Sequence, residues 1–340
     1  NIYMYSSDED FHIAGSCLTK NFEETIKLVK EIILEPRWDE KEFDRLKQAL
    51  ETNLKGREAN PNAIASNVYS QLLYGEDSRY GIPSSGTLQS TKDITMEDMK
   101  AYYNNLVPNQ ATFHIAGDVD KDETVAALQP LNQWKGEAVS IPEADVKTND
   151  TAGKLYFVDV PNAKQSVLYI GKLALSGKDE DANNLDFANE ILGGGSSGRL
   201  FQTLRIGKGY TYGAYSSISQ ANIISPFTIK TSVRANATLK SLEIIKNMVK
   251  DYENSFTENE VELTKNKILK GNTRAYESLG AQLGILRQMS KYDRAEDYLD
   301  KNQEELINMT LQDYKSIINK YMDEEDLTYL VVGDKATQFE

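Results

Sequence analysis

A chain of 340 residues is long for a single domain, and two of ~150–200 residues each is the natural division. Its formal net charge of −14 repels phosphate backbones, which argues against nucleic acid as a partner and favours basic or neutral peptides. No apolar run approaches the ~20 residues of a membrane span, and the one cysteine, Cys17, excludes an internal disulfide framework and any cysteine-based metal cluster.

The chain opens on Asn1 with NIYMYSS, which has no basic n-region or apolar signal core and reads as starting mid-strand. The expectation is a fragment of something longer, its true N-terminus and hence its compartment open, with periplasm the weak preference. NFEETIKLVKEIIL spaces Phe22, Ile26, Val29 and Ile33 three and four apart, which predicts an amphipathic helix. DEKEFDRLKQALETNLKGREA predicts a second helix capped by Asp39, and NAIASNVYSQLLYG a third ending at Gly75. ITMEDMKAYYNNLVP follows, with Thr95 as N-cap, and then ATFHIAGD as a strand. The polar segment 138–153, without helical period, is the best linker. Beyond it KLYFVDV, QSVLYIGKLAL, YTYGAYSSIS and FTIKTSVRA predict strands. NATLKSLEIIKNMVKDY, TENEVELTKNKILKGNTRAYE and SLGAQLGILRQMSKY predict helices, and LTYLVVGD the last strand.

The chain repeats itself. Thr95-Met96-Glu97-Asp98 and Thr310-Leu311-Gln312-Asp313 each place an acid where it can reach back to the amide of a capping Thr. The strands ending at Gly117-Asp118 and Gly333-Asp334 follow at nearly the same offset. Trp38 to Phe43 and Phe256 to Val261 match at a third nearly equal one. The expectation is an α+β protein of two tandem duplicated domains, each a mixed or antiparallel sheet with helices on one face. Residues 1–137 form a partial first copy truncated at its N-terminus, 138–153 the linker, and 154–340 a complete second copy.

Much chemistry is missing. The two histidines, His12 and His114, lie in identical FHIAG contexts that alternation could place on one sheet face. A ligand pair is the sharp reading and two strand histidines at a sheet surface the favoured one. No His-x-x-Glu-His or His-Glu-x-x-His occurs, so no zinc site of ordinary spacing is expected in this chain. Gly193-x-Gly195-x-x-Gly198 matches a dinucleotide fingerprint but follows a helical segment, NNLDFANEILG, where helix-end and loop chemistry explain it better.

What stands out is LGGGSSGRLFQTLR followed by GKGYTYGAYS. It sets Arg205 seven residues before Tyr212 across a Gly-Lys-Gly turn, with Arg205 ending an amphipathic helix. With FHIAGDVD, YFVDVPNAKQS and EPRWDEKEFDRLKQALETNLKGREANP, these segments resemble the pitrilysin/insulinase family of zinc metallopeptidases over essentially the whole chain. The resemblance implies a peptide substrate in a clamshell chamber. One half carries zinc, His-x-x-Glu-His and a general-base Glu. The other, this chain, carries Arg205 and Tyr212 as donors to the substrate carbonyl and developing oxyanion. Counting back from Pro61, the family's third zinc ligand falls near Asn53, a poor ligand, with Glu51 the nearest acid. No cofactor is therefore expected in this chain. Zn2+ is expected in a catalytic half, encoded upstream or as a partner subunit, and this chain alone is expected to be inactive. The alternative within the same family is a non-catalytic structural or binding subunit.

Overall fold

A computed structural model of the chain describes residues 1–140, 146 and 148–338. Contacts divide it into two compact units. One comprises Asn1–Lys55, Ser84–Ala144 and Ala275–Ser290; the other comprises Gly56–Pro83, Asp145–Arg274 and Lys291–Glu340. The strands are β1 (Ile2–Ser6), β2 (Phe11–Gly15), β3 (Leu155–Asp159), β4 (Gln165–Leu175), β5 (Thr211–Ile218), β6 (Ser225–Arg234) and β7 (Thr328–Gly333). The helices of the first half are α1 (Phe22–Leu34), α2 (Glu40–Glu58), α3 (Pro61–Tyr74), α4 (Leu88–Asp93), α5 (Met96–Asn104) and α6 (Lys121–Leu128). Those of the second half are α7 (Ala182–Gly193), α8 (Arg199–Phe201), α9 (Thr238–Lys250), α10 (Tyr252–Ser255), α11 (Glu258–Ala275), α12 (Leu279–Lys291), α13 (Tyr298–Asn308) and α14 (Leu311–Tyr321). Among the described residues no helix is long and apolar enough to cross a membrane.

The second unit is built on a mixed sheet of order β3-β7-β4-β6-β5, in which only the β3–β7 pair is parallel. The fold is thus the mixed α+β class that the sequence predicts. Alternation along β4 and β7 sends side chains to opposite faces. Leu168, Ile170, Tyr329 and Val331 join Leu185, Leu192, Ile245 and Tyr314 in one apolar layer under the helices that follow the linker. Val167, Leu330 and Val332 meet Ala65, Tyr69, Leu73 and Tyr74 of α3 on the other face. The sheet is therefore covered on both sides. The second cover is a helix that precedes the linker in sequence, where only a one-face cover was expected. β7 lies between both apolar layers, whereas β3, paired parallel to it at the sheet edge, turns only Tyr156 and Val158 toward the α3 side and leaves Leu155 and Phe157 exposed. Of the expected linker, residues 141–145 and 147 lie outside the described residues. At its far end Asn149 donates to the carbonyls of Gln71 and Leu72, at the end of α3, and Thr151 shares a 2.6 Å hydroxyl bond with Thr328.

The first unit holds the β1–β2 hairpin, α1, most of α2, α4 to α6 and most of α12. Trp38 packs edge-on to Tyr103 at 5.4 Å, the Tyr103 hydroxyl donates to the Ile33 carbonyl, and the Trp134 indole donates to Leu106. One expected strand is absent: ATFHIAGD is irregular over residues 111–116. β7, its repeat counterpart, is bonded on both sides by β3 and β4, whereas no described strand pairs with 111–116. Apolar composition without a ladder partner does not make a strand.

Local capping follows the sequence closely. The Thr95 hydroxyl accepts from the Asp98 amide while Asp98 accepts from the Thr95 amide at 2.8 Å. Thr310 and Asp313 repeat the arrangement at 2.7 Å, Thr257 and Glu260 form a third, and Asp39 accepts from the Glu42 amide. The Thr310 amide and hydroxyl hold the Asp313 carboxyl below the usual carboxylate range. Its contribution is therefore present above the unfolded carboxylate pKa and fades as pH falls through the lower folded value. Thr310→Ala should cost about 1 kcal/mol by urea denaturation at pH 7, with a smaller difference in acid. Asp186 behaves oppositely. Burial on α7 pushes its pKa up to about 6 despite a 2.7 Å bond from Gln220. A raised carboxyl favours the fold while protonated, and that contribution is lost as pH rises through about 6. Asp186→Asn should raise the urea midpoint at pH 7.5 and leave it nearly unchanged at pH 4.

Candidate functional site: the Arg205–Tyr212 turn

The path from α7 to β5 builds the site. Gly193 ends α7, and a Cβ there would run into the amide of Ser216 and the Leu200 side chain. Glycine is what lets the helix touch the strand. Asn189 fixes the contact, accepting from the Ser216 hydroxyl at 2.5 Å and donating to its carbonyl at 3.1 Å. The glycine string therefore serves close packing, with no phosphate cradle in a strand-to-helix turn. α8 then starts at Arg199, whose guanidinium forms a bidentate pair with Glu260 and donates to the Ser255 carbonyl. Fully buried Leu200 and Leu204, one turn apart, anchor this segment in the core.

From Gln202 to Gly207 the backbone widens into a π turn, with the Lys208 amide bonded back to Thr203 at 3.0 Å. Arg205 was expected to end an ordinary amphipathic helix and instead lies within this turn. Gly207 and Gly209 are poor helix formers, so the last turn opens instead of tightening. Gly209, at φ +62°, reverses the chain. The Tyr210 amide then closes on the Leu204 carbonyl at 2.9 Å and its carbonyl accepts from Arg234.

β5 begins with an irregularity between Thr211 and Ala214 against β6. The buried Thr211 hydroxyl sits 2.7 Å from the Ser232 carbonyl, 2.9 Å from the Gly213 carbonyl and 3.0 Å from the Gly213 amide and the Thr231 hydroxyl. Sequence reasoning passed over Thr211. Its signal was a small β-branched hydroxyl between Tyr210 and Tyr212, at the point where the strand is kinked. With Thr211 and Ala214 both inward, Tyr212 is turned out and is 83% exposed. Arg205 lies over its ring, guanidinium carbon to centroid 5.4 Å. The structure thus brings the two predicted residues together, as two adjacent donors with no acidic ion-pair partner among the described residues.

The histidines do not share a sheet face. His12 on β2 stacks on Tyr5 at 4.6 Å with Arg287 3.5 Å from its Nε2. His114, in the irregular segment, is 2.8 Å from Ser290, and its pKa is lowered by burial and by Arg287. A guanidinium beside both rings is the wrong neighbour for a cation, and among the described residues no three His, Cys, Asp or Glu converge as a metal site requires. Asn53 lies in α2, exposed, and Glu51 beside it is half-buried.

The second unit is thus an α+β unit that presents an exposed Arg/Tyr pair, and no metal-binding cluster occurs among the described residues. Residues 93–268 match the family described as Peptidase M16 inactive domain, and the chain belongs to that family. The pitrilysin-type resemblance read from LGGGSSGRLFQTLR and GKGYTYGAYS is borne out. Among relatives, a Helicobacter pylori protein named non-peptidase homolog YmxG is 20% identical over 97% of this chain and 76% of its own length. A Bacillus subtilis protein named uncharacterized zinc protease YmxG is 23% identical over 90% of this chain and 73% of its own. The fold is that of the crystal structure of a peptidase M16 inactive domain from Pseudomonas fluorescens, with a TM-score of 0.89 at 21% identity. That match covers 98% of this chain and 81% of the other.

Gly209→Ala would force a side chain into a left-handed conformation at a cost of about 1 kcal/mol. The expected signature is a drop in melting temperature of about 2–4 °C, measured by circular dichroism.

Proposed function

We propose that this chain is the non-metal half of a two-part peptidase, in which Arg205 and Tyr212 bind and orient a peptide for cleavage at a zinc held elsewhere. The observation that carries the reading is the pair itself. A guanidinium and a phenol are brought together by a π turn, a left-handed glycine and a kinked strand, and the phenol is left 83% exposed. A core aromatic has no need of that construction. Both side chains donate, so both can hold a peptide carbonyl oxygen and strengthen their bonds as it becomes an oxyanion. Among the described residues no three His, Cys, Asp or Glu converge to fit a metal. Zinc chemistry therefore belongs to a catalytic half, in the same polypeptide or in a partner subunit carrying His-x-x-Glu-His, and no step is assigned to it here.

The name of the Helicobacter pylori relative, non-peptidase homolog, favours a second reading as a binding or structural subunit. One assay separates the two. With the catalytic half and zinc present, a quenched peptide is turned over by wild type, Arg205→Ala and Tyr212→Phe. Loss of one preorganised donor should lower kcat by about 10²-fold, with unchanged far-UV circular dichroism. Turnover unaffected by both variants would leave only the subunit reading. This chain assayed alone should release no product.

A further inference from the structure

The charge of the molecule is not evenly spread. The average density of 52 acids in 340 residues would place about eight in a stretch of 52, yet Ile191 to Leu242 contains none. The same stretch carries Arg199, Arg205, Lys208, Lys230, Arg234 and Lys240. Val160 to Lys178, which includes β4, and Pro61 to Gly75, which includes α3, also lack acids. Every element that builds the α3-covered face of the sheet at β4, β5 and β6 is therefore free of carboxylates. Glu58, exposed at the end of α2, is the nearest acid in sequence to the start of α3.

α3 covers the β4–β7 part of this face and leaves the β5–β6 part open. Its N-terminal Asn62 reaches Ser232 at 3.3 Å, which marks the border. Along β6, Lys230, Ser232 and Arg234 share one face, because Ile229, Thr231 and Val233 point into the core. Tyr215 stands opposite Lys230 on β5, and the Tyr210 ring lies beneath Arg234 at 5.8 Å. The Lys230 ammonium lies over the Tyr169 ring at 4.9 Å. Burial there lowers its pKa, as for a cation short of compensating charge. Among the described residues Arg205, Lys230 and Arg234, each over a tyrosine ring, have no ion pair, in a protein where acids outnumber bases by 52 to 38. Cations left unpaired over aromatic faces in so acidic a chain are an anion-binding strip.

We infer that this β5–β6 strip binds an acidic peptide segment, with carboxylates seated on Lys230 and Arg234 and the peptide chain running past Arg205 and Tyr212. The inference rests on the proposed function and names its substrate class. It also reverses the preference for basic or neutral peptides that net charge alone suggests. Lys230 and Arg234 are four residues apart on one strand, about 13 Å, which is the span of residues i and i+4 in an extended peptide. The preferred ligand is therefore an extended segment with Asp or Glu at both of those positions.

The test is direct binding to this chain, independent of any cleavage. A fluorescein-labelled peptide with Glu at i and i+4 in a Ser/Thr background is titrated by anisotropy, beside the same peptide with Gln at both positions. The Glu peptide should bind at least about tenfold more tightly and lose affinity as salt is raised. Lys230→Gln/Arg234→Gln should remove that preference. Arg234→Gln alone, at an exposed site, should remove part of it should the double variant prove unstable. Equal binding of the Glu and Gln peptides, unchanged binding by both variants, or no binding of the Glu peptide below about 1 mM would each overturn the inference. So would tighter binding of a single-stranded oligonucleotide, which would assign the strip to phosphate. Failure here leaves the turnover assay of Arg205→Ala and Tyr212→Phe unaffected, so the two readings fail separately.

Discussion

The arrangement depends on β4 and β7 having to satisfy two apolar layers at once. Val167 and Leu168 are neighbours in sequence and serve different cores, as do Leu330 and Val331. A slip of one residue in the β4–β7 register would exchange every such pair and spoil both layers together. Because the sheet is pinned from two sides, the strands toward its β5 edge inherit a fixed geometry. The Arg205–Tyr212 turn hangs from that edge. Asn189, Ser216 and Thr211 transmit the rigidity of the core to residues that are themselves exposed.

The same double cover is uneven. The helices on one face of the sheet carry most of its buried aromatic and aliphatic mass, including Tyr252, Phe256 and Tyr314. The opposite face has a single helix, α3, and an open margin. Exposed cations and tyrosines collect on that margin because no described helix seals this part of the sheet. A thin cover thus trades buried area for access to Tyr215, Lys230 and Arg234 while the strand geometry stays fixed.

Local rules made much of this legible beforehand. The capping pairs Thr95–Asp98 and Thr310–Asp313 could be read from four letters each, since a box needs only a hydroxyl and a carboxylate three residues apart. Arg205 and Tyr212 could be singled out only through the resemblance of their segments to a known family, since an arginine at a helix end and a strand tyrosine are each ordinary by themselves. What could not be read were facts of partnership. ATFHIAGD has strand composition but finds no ladder, and α3 belongs by sequence to one repeat and by packing to the sheet of the other. The π turn was also hidden, since 3.6- and 4.4-residue turns share the same apolar spacing at Leu200 and Leu204. The acid-free run from Ile191 was visible in the letters but needed the sheet to show which of its cations stand together.

The π turn carries a consequence for how such a segment can change over time. It holds one more residue per turn than a regular helix, and the strand that follows alternates in and out residue by residue. Between Arg205 and Tyr212, then, the number of residues is fixed, as are left-handed Gly209 and hydrogen-bonded Thr211. Losing one would rotate Arg205 toward the core or turn Tyr212 to the buried side of β5. The geometry therefore constrains the length of this loop more tightly than most of its side chains.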